Sequence, residues 1–225
     1  MKKILGVFLF SILIIGLRAQ DEQKLLRFGM NGNLGYSWMK TDRDSLKNLG
    51  GRLGFGYGFI TEVTLAKNFS VATGFDVLYQ GGKIQKEGIY VVIPPDTNKV
   101  LGNQITKYRL QYLDIPVTLK MKTNEINYIT YFLRIGGSAG VCLKAKADRT
   151  YENISGSSHY TKENLNIKDE RSLFRANFIV AGGIEYSLGG TTAALAELSF
   201  TNGLTYLIDD KAKGNYLQLK LGILF

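Results

Sequence analysis

The last segment of this chain constrains its fold more than any other. From Leu217 the odd positions read Leu217, Leu219, Leu221, Ile223 and Phe225, and the even ones Gln218, Lys220, Gly222 and Leu224. A period of two places successive side chains on opposite faces of an extended strand. One face here is apolar and the other mixed, which suits a sheet with lipid outside and polar groups inside. A helix would instead need apolar residues spaced by three and four, and no segment sustains that rhythm.

The same alternation recurs upstream. Phe28, Met30, Leu34, Tyr36 and Trp38 alternate with Asn31, Asn33 and Ser37, while Leu53, Phe55, Tyr57 and Phe59 alternate with Arg52, Gly54, Gly56 and Gly58. Further runs cover 69–80, 129–143, 174–186 and 194–201. The run 108–121 changes step, with Leu110 and Tyr112 on one parity and Leu113, Ile115, Val117, Leu119 and Met121 on the other. A β-bulge near 112–114, beside Pro116, would reconcile the two halves. Short connections at 66–68, 122–127 and 188–190 alternate with long polar ones at 39–50, 82–106, 145–171 and 203–213. The expected fold is all-β, an eight-stranded antiparallel up-and-down transmembrane β-barrel with short periplasmic turns and long outer loops. A soluble lipocalin-like barrel has the same strand count but turns its apolar face inward. Gly54, Gly56 and Gly58 share the charged face, and crowding in a narrow lumen accounts for missing side chains there.

The N-terminus and the charge point the same way. Lys2 and Lys3 precede an apolar run over 4–17. That run is shorter than the roughly 20 residues a spanning helix needs. Residues 1–19 are therefore expected to be a signal peptide and 20–225 the barrel domain. The formal net charge of +9 falls to +6 once Lys2, Lys3 and Arg18 leave with the leader. Basic residues lie scattered among acids rather than in a stripe, which argues against nucleic acid and for outer-membrane lipid and lipopolysaccharide as partners. Cys142 is the single cysteine and cannot form an internal disulfide, so it reads as a small buried residue.

At the level of motifs, Tyr112-Leu113-Asp114-Ile115-Pro116-Val117-Thr118-Leu119-Lys120 resembles the aromatic-Leu-acid-Ile-Pro strand of the PorT-type outer-membrane β-barrel family. Gly54-Phe55-Gly56-Tyr57-Gly58-Phe59 and Gly74-Phe75 fit that pattern as well. A final strand ending on an aromatic, as at Phe225, resembles the assembly signal of outer-membrane barrels. The resemblance implies a Gram-negative cell envelope and a link to type IX secretion and gliding.

Parity places Arg52, Glu62, Asp76, Asp114, Lys120, Arg134, Arg175, Glu185, Glu197 and Lys220 on the inward face. They could form an ion pathway or proton relay, or a plug of mutually paired charges. The near balance of signs favours the plug, because charges removed from water must be paired. His159 is the only histidine, beside Ser157 and Ser158 in a polar segment, and neighbours in sequence are not a preorganised triad. No catalytic, cofactor-binding or metal-binding residue is assigned, and neither a cofactor nor an enzyme is expected. The apolar stretch 89–93 within a polar connection is either a hairpin extension or a surface for an envelope protein partner. The expected function is a structural or partner-binding role in the outer membrane. A small passive channel and an outer-membrane lipid-modifying enzyme are the alternatives.

Overall fold

The computed structural model describes residues 25–43, 45–94, 98–154, 159–209 and 211–225, so the expected leader lies outside the described residues. The alternating segments form β1 (Leu26–Thr41), β2 (Leu46–Ala66), β3 (Phe69–Val92), β4 (Lys99–Lys122), β5 (Ile129–Asn153), β6 (His159–Asn166), β7 (Phe174–Gly189), β8 (Thr192–Gly203) and β9 (Ala212–Leu224). All but β6 close a ring in the order β1-β2-β3-β4-β5-β7-β8-β9, each neighbour antiparallel. The seam between β1 and β9 runs from Gly29↔Leu224 to Thr41↔Ala212. Phe225 extends it: its amide donates to the Phe28 carbonyl at 2.8 Å, and its carbonyl accepts from the Phe28 amide at 3.0 Å. No helix among the described residues is long and apolar enough to cross a membrane, and the strands do so instead.

Exposure identifies the two faces. Leu53, Leu34 and Met30 are 79%, 69% and 61% exposed, whereas Lys120, Glu62 and Glu197 are at 0%, 1% and 1%. Charge inside and hydrocarbon outside is the transmembrane arrangement, and a lipocalin-like barrel would need the reverse. Aromatic rings stack along the outer wall, Phe28 on Phe59 and Phe59 on Phe75 at 6.1 Å, and Phe55 on Tyr79 at 4.4 Å.

The short connections gather at one end. Asn127 and Tyr128, at φ 50° and 68°, turn the chain between the bridged Ile126 and Ile129, as a primed hairpin turn requires. Gly189 and Gly190, at φ 106° and 60°, make the turn into β8 where a side chain would be strained.

At the opposite end the expected long loops are largely strand. The β3–β4 ladder continues to Val92↔Lys99, and β5 reaches Asn153, its far half pairing with β6 and its near half with β7. Beyond the lipid no apolar belt is required, so hydrophobic alternation fades while the hydrogen-bonded ladder persists. The stretch 89–93 is thus a hairpin extension, with Val91 buried and Tyr90 pointing out.

The change of step in β4 has another cause than the bulge expected there. Tyr108, Leu110 and Tyr112 keep the inward parity of Asp114 and Lys120 and are buried. The lumen itself turns apolar at this height, where Met39, Leu46, Ile84, Cys142, Ile167 and Leu207 pack with them. The bulge sits across the ladder in β5, where Gln111 pairs with Lys144 but Tyr112 with Cys142, leaving Leu143 as the extra residue. Another register shift, between Gly51 and Phe55 of β2, turns Arg52 outward instead of into the lumen. Pro116 opens a gap rather than a bulge: the β3–β4 ladder skips Gly74 and Phe75 opposite Ile115 and Pro116.

Candidate functional site

The lumen holds the remaining inward charges in clusters stacked along its axis. Nearest the short turns, Lys120 lies between the Glu62 and Glu185 carboxylates and donates to both. Arg27 Nη1 reaches Glu185 Oε2 at 2.8 Å and Glu62 Oε2 at 3.4 Å, and Lys122 Nζ reaches Glu62 at 3.0 Å. The Lys120 ammonium also stands 4.2 Å over the Phe132 ring. Arg27 and Lys122 were not among the expected inward residues, yet each continues its strand's inward parity by one step, and that signal would have found them.

Farther in, Lys220 Nζ donates to Asp76 Oδ2 at 2.9 Å, and Asn31 Nδ2 donates to Asp76 Oδ1 at 3.1 Å. Arg134 and Glu197 are 3.0 Å apart, but neither Glu197 oxygen accepts a well-aligned hydrogen bond. Distance alone makes this the weakest of the buried pairs. The highest cluster is the most completely bonded. Arg175 grips Asp114 with two parallel bonds, Nε to Oδ1 at 2.9 Å and Nη2 to Oδ2 at 2.7 Å, and donates from Nη1 to Gln80 at 2.8 Å. Asn177 links Asp114 to Ser138, and the guanidinium lies 3.7 Å from the Tyr112 ring centroid. Above it the apolar side chains around Tyr112 pack together inside the barrel.

The clusters tie strands together across the lumen. Glu62, Lys120 and Glu185 join β2, β4 and β7, Asp76 and Lys220 join β3 to β9, Arg134 and Glu197 join β5 to β8, and Asp114 and Arg175 join β4 to β7. In the low dielectric of a filled lumen each carboxylate faces a cation, which is the condition for keeping both ionised. A bowl of about 500 Å³ opens at the short-turn end and is lined by Arg27, Lys122 and Glu185 of the lowest cluster.

The chemistry-bearing residues do not converge elsewhere. His159 starts β6 opposite Glu152 and is exposed, while Ser157 and Ser158 lie outside the described residues. Cys142 is buried, its Sγ 3.5 Å from the Lys144 carbonyl. No group of three metal-ligating side chains occurs among the described residues.

A family model described as outer membrane protein beta-barrel domain matches residues 18–209 of this chain. Among solved structures, the chain is similar to the outer membrane protein OprG from Pseudomonas aeruginosa, at 9% identity over 92% of this chain and 98% of that one, with a TM-score of 0.48. Neisserial surface protein A shares 10% identity over 87% of this chain and 95% of its own, at 0.45. Ail, the attachment invasion locus protein of Yersinia pestis, shares 9% over 88% and 98%, at 0.38. No curated protein matches.

Proposed function

Because this chain belongs to the outer membrane protein beta-barrel domain family, we propose that it acts as a structural, partner-binding protein at the cell surface rather than as a pore. Its place is the outer membrane. The observation that carries the reading is the β3–β4 hairpin. By height it stands on the order of 30 Å beyond the lipid belt, at about 3.3 Å of rise per residue along a tilted strand. It presents Tyr90, Val92, Val100 and Leu101 to solvent while Val91 and Ile93 pack inward. Apolar side chains grouped on a projecting ladder suit a protein partner.

The strutted lumen supports the same reading against the passive channel, since paired charges and an apolar cap leave ions no hydrated path. The finer suggestion, a PorT-type link to secretion, rests on the Leu113-Asp114-Ile115-Pro116 strand alone. The test is a pull-down from detergent-solubilised outer membranes with the parent protein and with Tyr90→Asp/Leu101→Asp. Envelope proteins retained by the parent and lost by the variant support partner binding, and a component of a secretion machine among them supports the finer suggestion. Stepwise conductance of the purified barrel in planar bilayers would favour the channel instead. Altered lipid A masses in cells lacking the protein would favour the enzyme.

A further inference from the structure

We propose that the outer wall of β2–β5 carries a binding site for the phosphate of a glycolipid, the lipid A portion of lipopolysaccharide. The inference rests on the outer-membrane reading above, with the long hairpins facing outward.

The site begins where the hydrocarbon belt ends. From Phe69 to Tyr79 the tilted β3 strand climbs about 25 Å, the height of an apolar band on such barrels. Immediately above Tyr79 the wall becomes cationic. Gly81, Arg109 and Lys146 occupy one lateral row across β3, β4 and β5, and the Arg52 side chain of β2 lies against Gly81. Lys83 and Lys107 stand in the next row, and Lys144 lies opposite Gln111 in the row below. Lys83 faces Lys107 directly across the ladder, as Arg109 faces Lys146. Like charges so placed destabilise a sheet unless an anion lies between them.

Two register shifts produce this concentration. The bulge at Leu143 turns Lys144 and Lys146 out of the lumen, and the shift between Gly51 and Phe55 does the same for Arg52. Bulges commonly re-aim a side chain near a site. Here two of them, on strands either side of Tyr79 and Gln111, deliver cations to one patch. Gly81 leaves the row open between the two arginines: the Arg52 Cδ lies 3.4 Å from where its Cβ would be.

The patch is short of counter-charge. The acid lining it is Asp148, bound to Arg109 at 2.6 Å, and Arg109 Nε has no acceptor. Among the described residues, Arg52, Lys83, Lys107, Lys144 and Lys146 take part in no ion pair. Two adjoining clefts of about 340 and 320 Å³ share Arg52 and Arg109. The first continues downward onto Leu53, Phe55 and Tyr79, which face the lipid. Cations above and an apolar wall below describe an amphiphile, its phosphate among the guanidinium and ammonium groups and its acyl chains along the strand. At this height the outer leaflet supplies lipid A.

The test uses the full barrel in detergent micelles, titrated with bis-phosphorylated lipid A, dephosphorylated lipid A and phosphatidylglycerol. Phosphorylated lipid A should bind at least about tenfold more tightly than the dephosphorylated form, and its binding should weaken as salt is raised. R52Q/K146Q should abolish the discrimination with the heat-modifiable mobility intact. Lys47→Gln should leave it unchanged, because Lys47 lies higher up and is paired with Glu87 at 2.8 Å. Should the double variant not fold, Lys107→Gln is measured in its place and should halve the discrimination or more. Equal binding of both lipid A forms, salt-independent binding, or phosphatidylglycerol binding as tight as lipid A overturns the proposal. Surface labelling separates the two failures: long hairpins found in the periplasm would sink the orientation, whereas surface-exposed hairpins without discrimination sink only the site.

Discussion

Arg175 occupies the best-satisfied position in the lumen, with Asp114 gripped by two parallel bonds and Gln80 by a third. Replacing it with Met leaves the Asp114 carboxylate facing only Asn177 and Ser138. Stranding a buried charge in this way costs about 3–5 kcal/mol. Arg134→Met should cost less, because the Glu197 oxygens already lack aligned donors. Urea unfolding of the two detergent-refolded variants checks the order, and an Arg175→Met midpoint equal to the parent's would mean that water already solvates Asp114. The double change Arg175→Met/Asp114→Leu should recover most of the loss, since an apolar pair of similar volume needs no counter-charge. These inward charges were legible in the sequence because parity is preserved along an unbroken ladder. Arg52 was not, because counting by twos fails across a register shift that leaves no mark in composition.

At the scale of elements, the sequence revealed where strands cross lipid and hid how far they continue. Lipid enforces alternation on residues such as Phe75, Val77 and Tyr79, whereas the ladder from Gln85 to Val92 needs only backbone hydrogen bonds. The apolar inward side chains at Tyr108 and Leu110 likewise read as a change of step, because a polar lumen was assumed at every height. The bulge in β5 gives a sharp test. Deleting Leu143 should restore simple pairing with Lys144 still opposite Gln111 and Lys146 still opposite Arg109, both outward, so the packing of Tyr112, Cys142 and Ile167 is kept and the deletion should still yield heat-modifiable barrel. Leu143→Ala should fold, since it keeps the extra residue and loses only lipid-facing surface. Barrel from Leu143→Ala but none from the deletion would show that the bulge itself is needed for folding. The β1–β9 seam gives another. Phe225 contributes two backbone bonds to Phe28. At about 1 kcal/mol each, with comparable burial, these are a small share of a closed ring. Deleting Phe225 should therefore leave refolding in detergent intact while lowering the amount inserted in cells, and normal insertion would make the likeness to an assembly signal accidental.

The whole molecule is asymmetric along its axis and around its girth. One rim consists of tight turns over an ionic bowl, and the other of ladders that rise on the β3–β6 side and stay low where β1 meets β9. With charged clusters below and apolar side chains above, the proposed reading puts the protein's work at a rim or on the wall. Which rim faces outward then decides every surface reading. Barrels of this kind keep short turns in the periplasm. The native Cys142 is buried, so single added cysteines report cleanly. Leu204→Cys, exposed between β8 and β9, should react with a membrane-impermeant maleimide on intact cells. Glu125→Cys, exposed between β4 and β5, should react only after the outer membrane is opened. The reverse pattern would place the tall hairpins in the periplasm. The cationic wall above Tyr79 would then meet inner-leaflet phospholipid, and the bowl at Arg27, Lys122 and Glu185 would become the surface seen from outside.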